Sequence, residues 1–356
     1  MSIYAIFVLC GESVATLLGR LYYDKGGNSK WMATLVQIAG FPILLPYYFL
    51  STPRNPKTSK AVHSKPPMSP FKASLVYFSL GLLNGAVCLF HSIGLFHLPV
   101  STYSLICATQ LLFSALFSFF LNSQKFTPYI VNSLVLLTIS SVLLLFQVDL
   151  ADPPEVSGRK YIVGFICTIC ASAGYGLVLS LTQFSLERVL KREASFSTTM
   201  DMTVCMSLVS TFAAFVGLLG SGDWKVLRQE MEGFELGKVS YAMTLTWATI
   251  SWQLFNIGAV GLILEVSSLF SNVISVLSLP VVPVLAVIFF HDRIDGVKVI
   301  AMVLAIWGLM SYVYQHYLES NRSKNENKND TDKKNPSQLE ETIATLGLNG
   351  VSVVLF

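Results

Sequence analysis

The stretch EVSSLFSNVISVLSLPVVPVLAVIFFHDRID, Glu265 to Asp295, decides the reading of the fold once it is set beside PVSTYSLICATQLLFSALFSFFLNSQKFT, Pro99 to Thr127. Each opens on Val-Ser followed by Ser or Thr, runs through an apolar helix to a Phe-Phe pair, and ends in a short polar loop. The shared features stand between 166 and 170 residues apart, as Val100 and Val266 or Phe119 and Phe289 show. Each stretch is long enough to cross a hydrocarbon core of about 30 Å, which takes roughly 20 apolar residues in a helix. Two similar segments separated by about five such spans describe an internal repeat. Because five is odd, the second copy must lie upside down relative to the first, which is the inverted-repeat plan of many secondary transporters, with the substrate site near the midplane between the halves.

The rest of the chain supports this. Of 356 residues 53% are hydrophobic and only 13% charged, and the mean hydropathy is +0.59, whereas about a quarter of the residues of a soluble domain carry charge. A soluble enzyme is excluded, and a net charge of +3 is too mild for a nucleic-acid partner. Apolar runs bounded by charge give ten candidate helices, at roughly 3 to 22, 31 to 50, 73 to 97, 99 to 121, 127 to 147, 161 to 186, 199 to 220, 239 to 263, 266 to 290 and 297 to 317. The expected fold is therefore an all-α polytopic membrane protein with ten transmembrane helices in two inverted five-helix repeats. Residues 1–150 form the first repeat, 151–317 the second, and 318–356, rich in Asn, Lys, Ser and Asp, a disordered cytosolic tail. The first run contains Glu12 and lacks a basic flank, so it reads as a retained span and not a cleaved signal peptide.

Orientation follows from the basic loop carrying Arg54, Lys57, Lys60, Lys65 and Lys72, which places both termini in the cytosol. Tyr22, Tyr23, Trp31, Tyr47 and Tyr48 fall where interfacial aromatic belts are expected. All six cysteines lie in apolar runs, so neither a disulfide framework nor a metal site is expected; Cys167 and Cys170 have no second pair and no nearby His. Asp201 and Glu265 lie at span ends, where solvated or capping roles suffice, and the His291, Asp292, Arg293 cluster reads as a solvated turn.

The chain resembles the plant purine permeases, a branch of the drug/metabolite transporter superfamily, over nearly its whole membrane part. The matching stretches are LLGRLYYDKGG at 17–27, QIAGFPILLP at 37–46, LPVSTYSLICATQLLFSALFSFFLNSQKFTP at 98–128, and the long run at 265–319 that begins with the repeat segment quoted above. The resemblance implies ten helices in two inverted halves and proton-coupled uptake of purines and purine-like molecules, including adenine and cytokinins. Some relatives carry other nitrogenous heterocycles, such as alkaloids or vitamin B6 forms. Several relatives have an Asp-Asn pair followed by Leu-Tyr-Ser-Tyr-Gly in the third span. Here the corresponding run is Val87, Cys88, Leu89, Phe90, His91, Ser92, Ile93, Gly94, so the resemblance assigns no ligand contacts there.

Polar groups inside the spans carry the expected chemistry. Glu12 is the proton-coupling candidate, since a carboxylate in mid-span is expensive in hydrocarbon and usually faces the bundle interior or a watery cavity. The bland alternative is a protonated Glu that serves packing alone. A purine needs a fixed mix of donors and acceptors, which one amide supplies from one plane. Gln37, Asn84, Gln110, Gln253, Asn256 and Asn272 are the available amides. Gln110 and Asn272 lie on the repeat-related helices and are favoured for ligand contact, although any amide can equally be helix-helix glue. Trp252 and Asn256 are four apart and share a face, pairing a stacking surface with an amide. A Trp can also simply face lipid, the better reading for Trp247. His91 is a proton relay if it lines the cavity, and otherwise structural. Pro42, Pro280 and Pro283 interrupt their helices and are gating or kink candidates, with packing as the default role. Ser267, Ser271 and Ser275 form a small-residue stripe that allows close helix packing.

No P-loop, H-E-x-x-H or G-x-S-x-G is present, so neither ATP-driven transport nor a common hydrolase has its parts, and no catalytic residue is assigned. Mid-span Lys or Arg, expected of a nucleotide-sugar exchanger, is missing too. The expectation is a proton-driven symporter of purine-like heterocycles in a lipid bilayer, most simply the plasma membrane, using the proton gradient and no cofactor. The alternatives are a carrier of alkaloid- or vitamin B6-type compounds and a non-transporting scaffold or receptor. The particular heterocycle and the oligomeric state are left open.

Overall fold

Large apolar side chains cover the outside of this protein and hydroxyls fill much of its inside. Phe71, Phe120, Phe212 and Val239 are each about 70–80% exposed, while Ser104, Ser118, Thr168, Ser172, Ser210 and Ser271 have no exposed surface. A soluble protein does the reverse; a bilayer solvates the Phe and Val, and small polar residues let helices approach closely. The computed structural model describes residues 2–46, 70–123, 158–190, 196–278 and 281–290, with scattered positions between 128 and 143 and between 296 and 314.

Among the described residues all regular structure is helical. In chain order the helices are α1 (Ser2–Asp24), α2 (Lys30–Ile38), α3 (Pro70–His97), α4 (Val100–Cys107), α5 (Gln110–Asn122), α6 (Gly158–Phe184), α7 (Phe196–Ser221), α8 (Leu227–Gly233), α9 (Lys238–Glu265), α10 (Ser268–Ser278) and α11 (Val281–Phe290). A 3-10 turn over Phe41–Leu44 follows α2, a π turn over Ser185–Leu190 extends α6, and a 3-10 turn over Asp223–Lys225 precedes α8. Among the described residues six helices are long and apolar enough to cross a membrane: Ser2–Asp24, Phe71–His97, Thr102–Asn122, Arg159–Leu190, Ser197–Ser221 and Lys238–Glu265. The spans expected at 127–147 and 297–317 fall largely outside the described residues, as do the loop at 51–69, the repeat boundary at 150/151 and the tail.

Three features depart from a plain ten-rod reading. The span expected at 99–121 is broken between α4 and α5 without Pro or Gly. The Thr109 hydroxyl donates to the Ile106 carbonyl at 2.8 Å, the backbone tightens to Thr109 N–H to Ile106 O at 3.0 Å, and the Asn272 amide takes the Gln110 carbonyl at 2.9 Å from across the bundle. Side chains inserted into a helix ladder are an established cause of kinks. The segment 222–237, read from sequence as a loop, contains α8. Tyr22, expected at the membrane interface, is 1% exposed and turns inward to meet α8, because its hydroxyl finds a carboxylate there.

The backbone of the bundle is the α1–α9 pair. They run antiparallel, with Tyr22 and Tyr241 meeting at one end and Gly258 and Gly261 beneath Tyr4 at the other. Contact is close at Gly11 as well, where an added Cβ would lie 2.7 Å from the Ser251 carbonyl oxygen and 2.8 Å from the Phe255 nitrogen. Around this pair an apolar cluster of Leu98, Ile106 and Leu111 with Val273, Val276 and Val282 ties α4 and α5 to α10 and α11. At the far end of α5 lies a neutral polar cluster. Gln183 Oε1 accepts from the Ser268 N–H at 2.8 Å and the Ser268 hydroxyl at 2.6 Å. Ser118 Oγ lies 3.1 Å from both Ser180 Oγ and Ser268 Oγ. Asn122 Nδ2 faces Ser180 O, Gln183 Oε1 and Ser268 Oγ at 3.2, 3.3 and 3.5 Å.

Candidate functional site: a polar cavity at mid-bundle

Glu12 lies halfway along α1 and is 7% exposed. Two hydroxyls of α10 donate to the same carboxylate oxygen, Ser275 at 2.6 Å and Ser278 at 2.9 Å. Ser275 in turn accepts from Gln110 Nε2 at 3.0 Å. The carboxylate is thus bound into a chain that runs through α10 to the kink between α4 and α5, and Oε1 makes no contact of this kind. Burying a carboxyl group is costly unless hydrogen bonds meet it, and here they meet one oxygen only.

That residue borders a narrow internal cavity of about 40 Å³, well under the range of about 300–1,000 Å³ usual for small-molecule sites. Seven of the residues picked out from sequence meet on its wall: Glu12, Gln37, Asn84, His91, Gln110, Trp252 and Asn256. Gln37 donates to Ser92 Oγ at 2.8 Å, Asn84 Nδ2 is 3.5 Å from Ser210 Oγ, and His91 Nδ1 is 2.7 Å from the Tyr103 hydroxyl. Asn272 is fully buried and stands apart from this wall. It does approach Gln110, but its amide is taken up by the Gln110 backbone carbonyl. Gln253 is buried against Gly40, also away from the cavity. Trp247 is 53% exposed on the outer surface.

The aromatic wall is larger than Trp252 alone. Trp252 meets Phe255 edge-on at 5.5 Å, and Phe255 stacks with Tyr175 at 6.1 Å and an interplanar angle of 29°. Thr16, Tyr103, Cys107, Tyr175 and Phe255 line the cavity and were not singled out from sequence. Phe255 had a signal, since it stands three residues after Trp252 on one helix face. Tyr175 had none, because a Tyr in an apolar helix gives no hint of which way the helix is turned. Val87, Cys88 and His91, from the run that departs from the family pattern, also line the cavity.

Of the kink candidates, Pro42 is exposed in the turn that ends α2. Pro283 falls in the first turn of α11, where the missing N–H has no intrahelical partner to lose. Pro280 lies outside the described residues.

Two more cavities adjoin this one along α9. The first, of about 20 Å³, shares Thr16, Gln37, Tyr103 and Trp252 and extends past Ala248 and Thr244 to Tyr22 and Tyr23. The second, of about 40 Å³, shares Asn84, Tyr175 and Asn256 and extends past Val260 to Ile263 and Thr203. From Thr244 to Ile263 the helix rises about 28 Å at 1.5 Å per residue, close to the thickness of a bilayer core of about 30 Å. Three small adjoining cavities inside a lipid-facing helical bundle, the middle one lined by a carboxylate, amides and stacked aromatics, define an integral, multi-pass membrane protein with a polar interior.

Comparison with known proteins is decisive about the family. A family model described as purine nucleobase transmembrane transport matches residues 1–322. The chain is 56% identical over 343 residues to probable purine permease 10 of Arabidopsis thaliana, covering 96% of this chain and 87% of that protein. It is 56% identical over 328 residues to purine permease 21 of the same plant, covering 92% and 83%, and 53% identical over 345 residues to probable purine permease 6, covering 96% and 87%. The chain belongs to the purine permease family, a family of transporters and not of enzymes.

Proposed function

We propose that the protein is a proton-coupled symporter of purines and purine-like heterocycles such as adenine or cytokinins, working by alternating access of two inverted five-helix halves, residues 1–150 and 151–317. The observation that carries this reading is the central cavity, where the Glu12 carboxylate shares a wall with four amides, Gln37, Asn84, Gln110 and Asn256, and with the Trp252, Phe255 and Tyr175 rings. The lining matches the chemistry of a flat heterocycle with ring nitrogens, rings to stack on its face and amides to meet its edge, and the helices must part to admit it. A carboxyl group beside it can carry the proton that drives uphill movement. The inverted repeat is supported by the likeness of 99–127 to 265–295, whose Phe-Phe pairs at 119–120 and 289–290 stand 170 residues apart, about five spans and so an odd number, which turns one copy upside down. The orientation proposed has both termini and the tail in the cytosol, in the plasma membrane.

Uptake of labelled adenine or a cytokinin into yeast lacking its own carrier, at acidic and neutral external pH and with and without a protonophore, tests the reading. Uptake is expected to rise as the outside is acidified and to collapse with the protonophore. Indifference to both would remove proton coupling, and no uptake of any purine would remove the substrate class. Trp252→Ala is expected to raise KM about tenfold with little change in abundance, since stacking of a base on an aromatic side chain is worth about 1–3 kcal/mol and about 1.4 kcal/mol is a factor of ten. A concentration series of initial uptake rates checks it; an unchanged KM would place the ligand elsewhere.

A further inference from the structure

One end of the row of cavities is shut by a single layer of side chains with open surface beyond it. The inner side of that layer is the cavity reaching Tyr22. Its outer side is a surface pocket of about 540 Å³ bordered by Gly26, Ser29, Asp223 and Glu230. Between the two stands Glu230 of α8. Its Oε1 accepts from the Tyr22 hydroxyl at 2.5 Å and the Tyr241 hydroxyl at 3.1 Å, and its Oε2 accepts from the backbone N–H groups of Asn28 and Ser29, both at 3.2 Å. Ser29 caps α2 by accepting from the Met32 N–H at 3.0 Å and donates to Asp223 at 2.9 Å. Two carboxylates therefore converge on the N-terminus of α2, where the helix dipole favours negative charge. Outside them Lys25 pairs with Glu235 at 2.9 Å, and the Glu235 N–H donates to the Lys25 carbonyl at 3.0 Å.

We propose that α8 and its flanking turns, residues 222–237, are the gate at this end of the transport path, closed here by Glu230 on Tyr22, Tyr241 and the start of α2. The proposal rests on the transport reading above, and on the orientation given there it names the gate away from the cytosol. The segment suits the task. None of the seven residues of the helix is buried, and the segment is held at a few points: Phe234, 3% exposed and edge-on to Tyr241 at 5.3 Å, the hydrogen bonds of Glu230 and Asp223, and the Lys25–Glu235 pair. It can lift as a unit when α1, α2 and α9 separate. The opposite end of the row is held differently: α5, α6 and α10 meet there through amides and hydroxyls, with Glu187 accepting from Gln183 Nε2 at 2.8 Å at the edge of the cluster.

The test uses the full chain in proteoliposomes carrying Lys25→Cys and Glu235→Cys. Residues joined by a backbone hydrogen bond lie within reach of a disulfide, whose Cα atoms are about 4.4–6.8 Å apart. Oxidation is expected to cut purine transport at least tenfold and reduction to restore it. A second readout needs no substrate. Cys88 on the central cavity wall is probed with a membrane-impermeant thiol reagent applied from the gate side, and the label is located by mass spectrometry. Glu230→Gln is expected to speed labelling of Cys88 about tenfold, and the disulfide to suppress it. Failure of the disulfide to form, wild-type transport in the cross-linked protein, or Cys88 labelling unmoved by both changes would overturn the gate. If the unmodified protein carries no purine, the proposed function fails and the labelling result alone decides the gate.

Discussion

Glu12→Gln is expected to abolish accumulation of substrate against its gradient while leaving the protein as abundant as the wild type. Glutamine keeps the shape of the side chain, and its Oε1 can still accept from Ser275 and Ser278, which donate to a single oxygen at 2.6 and 2.9 Å. The fold therefore loses little. What disappears is the only acid among the described residues of the cavity wall, and with it, on the proposed mechanism, the group that takes up a proton on one side and releases it on the other. The size of the effect follows from the driving force. A difference of one pH unit supplies about 1.4 kcal/mol per proton and a potential of 100 mV about 2.3 kcal/mol, so one proton per substrate supports accumulation on the order of several hundredfold. The variant should only equilibrate its substrate, with uptake indifferent to external pH. Measuring the steady-state ratio of internal to external purine decides the matter; a variant that concentrates purine as the wild type does would move the coupling site elsewhere.

Gly11→Val is expected to have the largest structural effect of any single substitution in α1. The added Cβ would sit 2.7 Å from the Ser251 carbonyl oxygen and 2.8 Å from the Phe255 nitrogen, and both are backbone atoms that cannot rotate away. α1 and α9 must part by about an ångström or more, and overpacking of this kind typically costs about 1–3 kcal/mol. The damage reaches the site as well, because the helix that moves carries Glu12 and the one it pushes on carries Trp252, Phe255 and Asn256. Loss of the monodisperse peak in detergent, or a clear fall in Tm, is the expected result. A variant that elutes and melts like the wild type would mean that the two helices are not in contact at this point.

Much of the site was legible in the sequence, for a physical reason. A carboxylate or amide inside a lipid-soluble run is costly wherever it sits, so Glu12, Gln37, Asn84, Gln110 and Asn256 announce themselves without knowledge of the fold. Helix lengths were legible too, because bilayer thickness sets them; the spans expected at 73–97, 199–220 and 239–263 match α3, α7 and α9 to within a few residues. What could not be read was anything decided by rotation about a helix axis or by a partner far away in the chain. Tyr22 looked like a belt residue, yet its partner Glu230 stands 208 positions on. Tyr175 and Trp247 are both aromatics in apolar helices, and one faces the cavity while the other faces outward. The kink at Thr109 depends on the Asn272 amide reaching the Gln110 carbonyl from another helix, and no local signal marks it.

The neutral cluster where α5, α6 and α10 meet has a mechanical consequence. Ser118 lies at the same 3.1 Å from two hydroxyls, and the Asn122 amide has three acceptors between 3.2 and 3.5 Å. Donors with several nearly equivalent acceptors can trade one for another as the helices slide, so the number of hydrogen bonds need not fall during the movement. Such a corner behaves as a lubricated bearing: it holds three helices together while offering almost no resistance to small displacements between them.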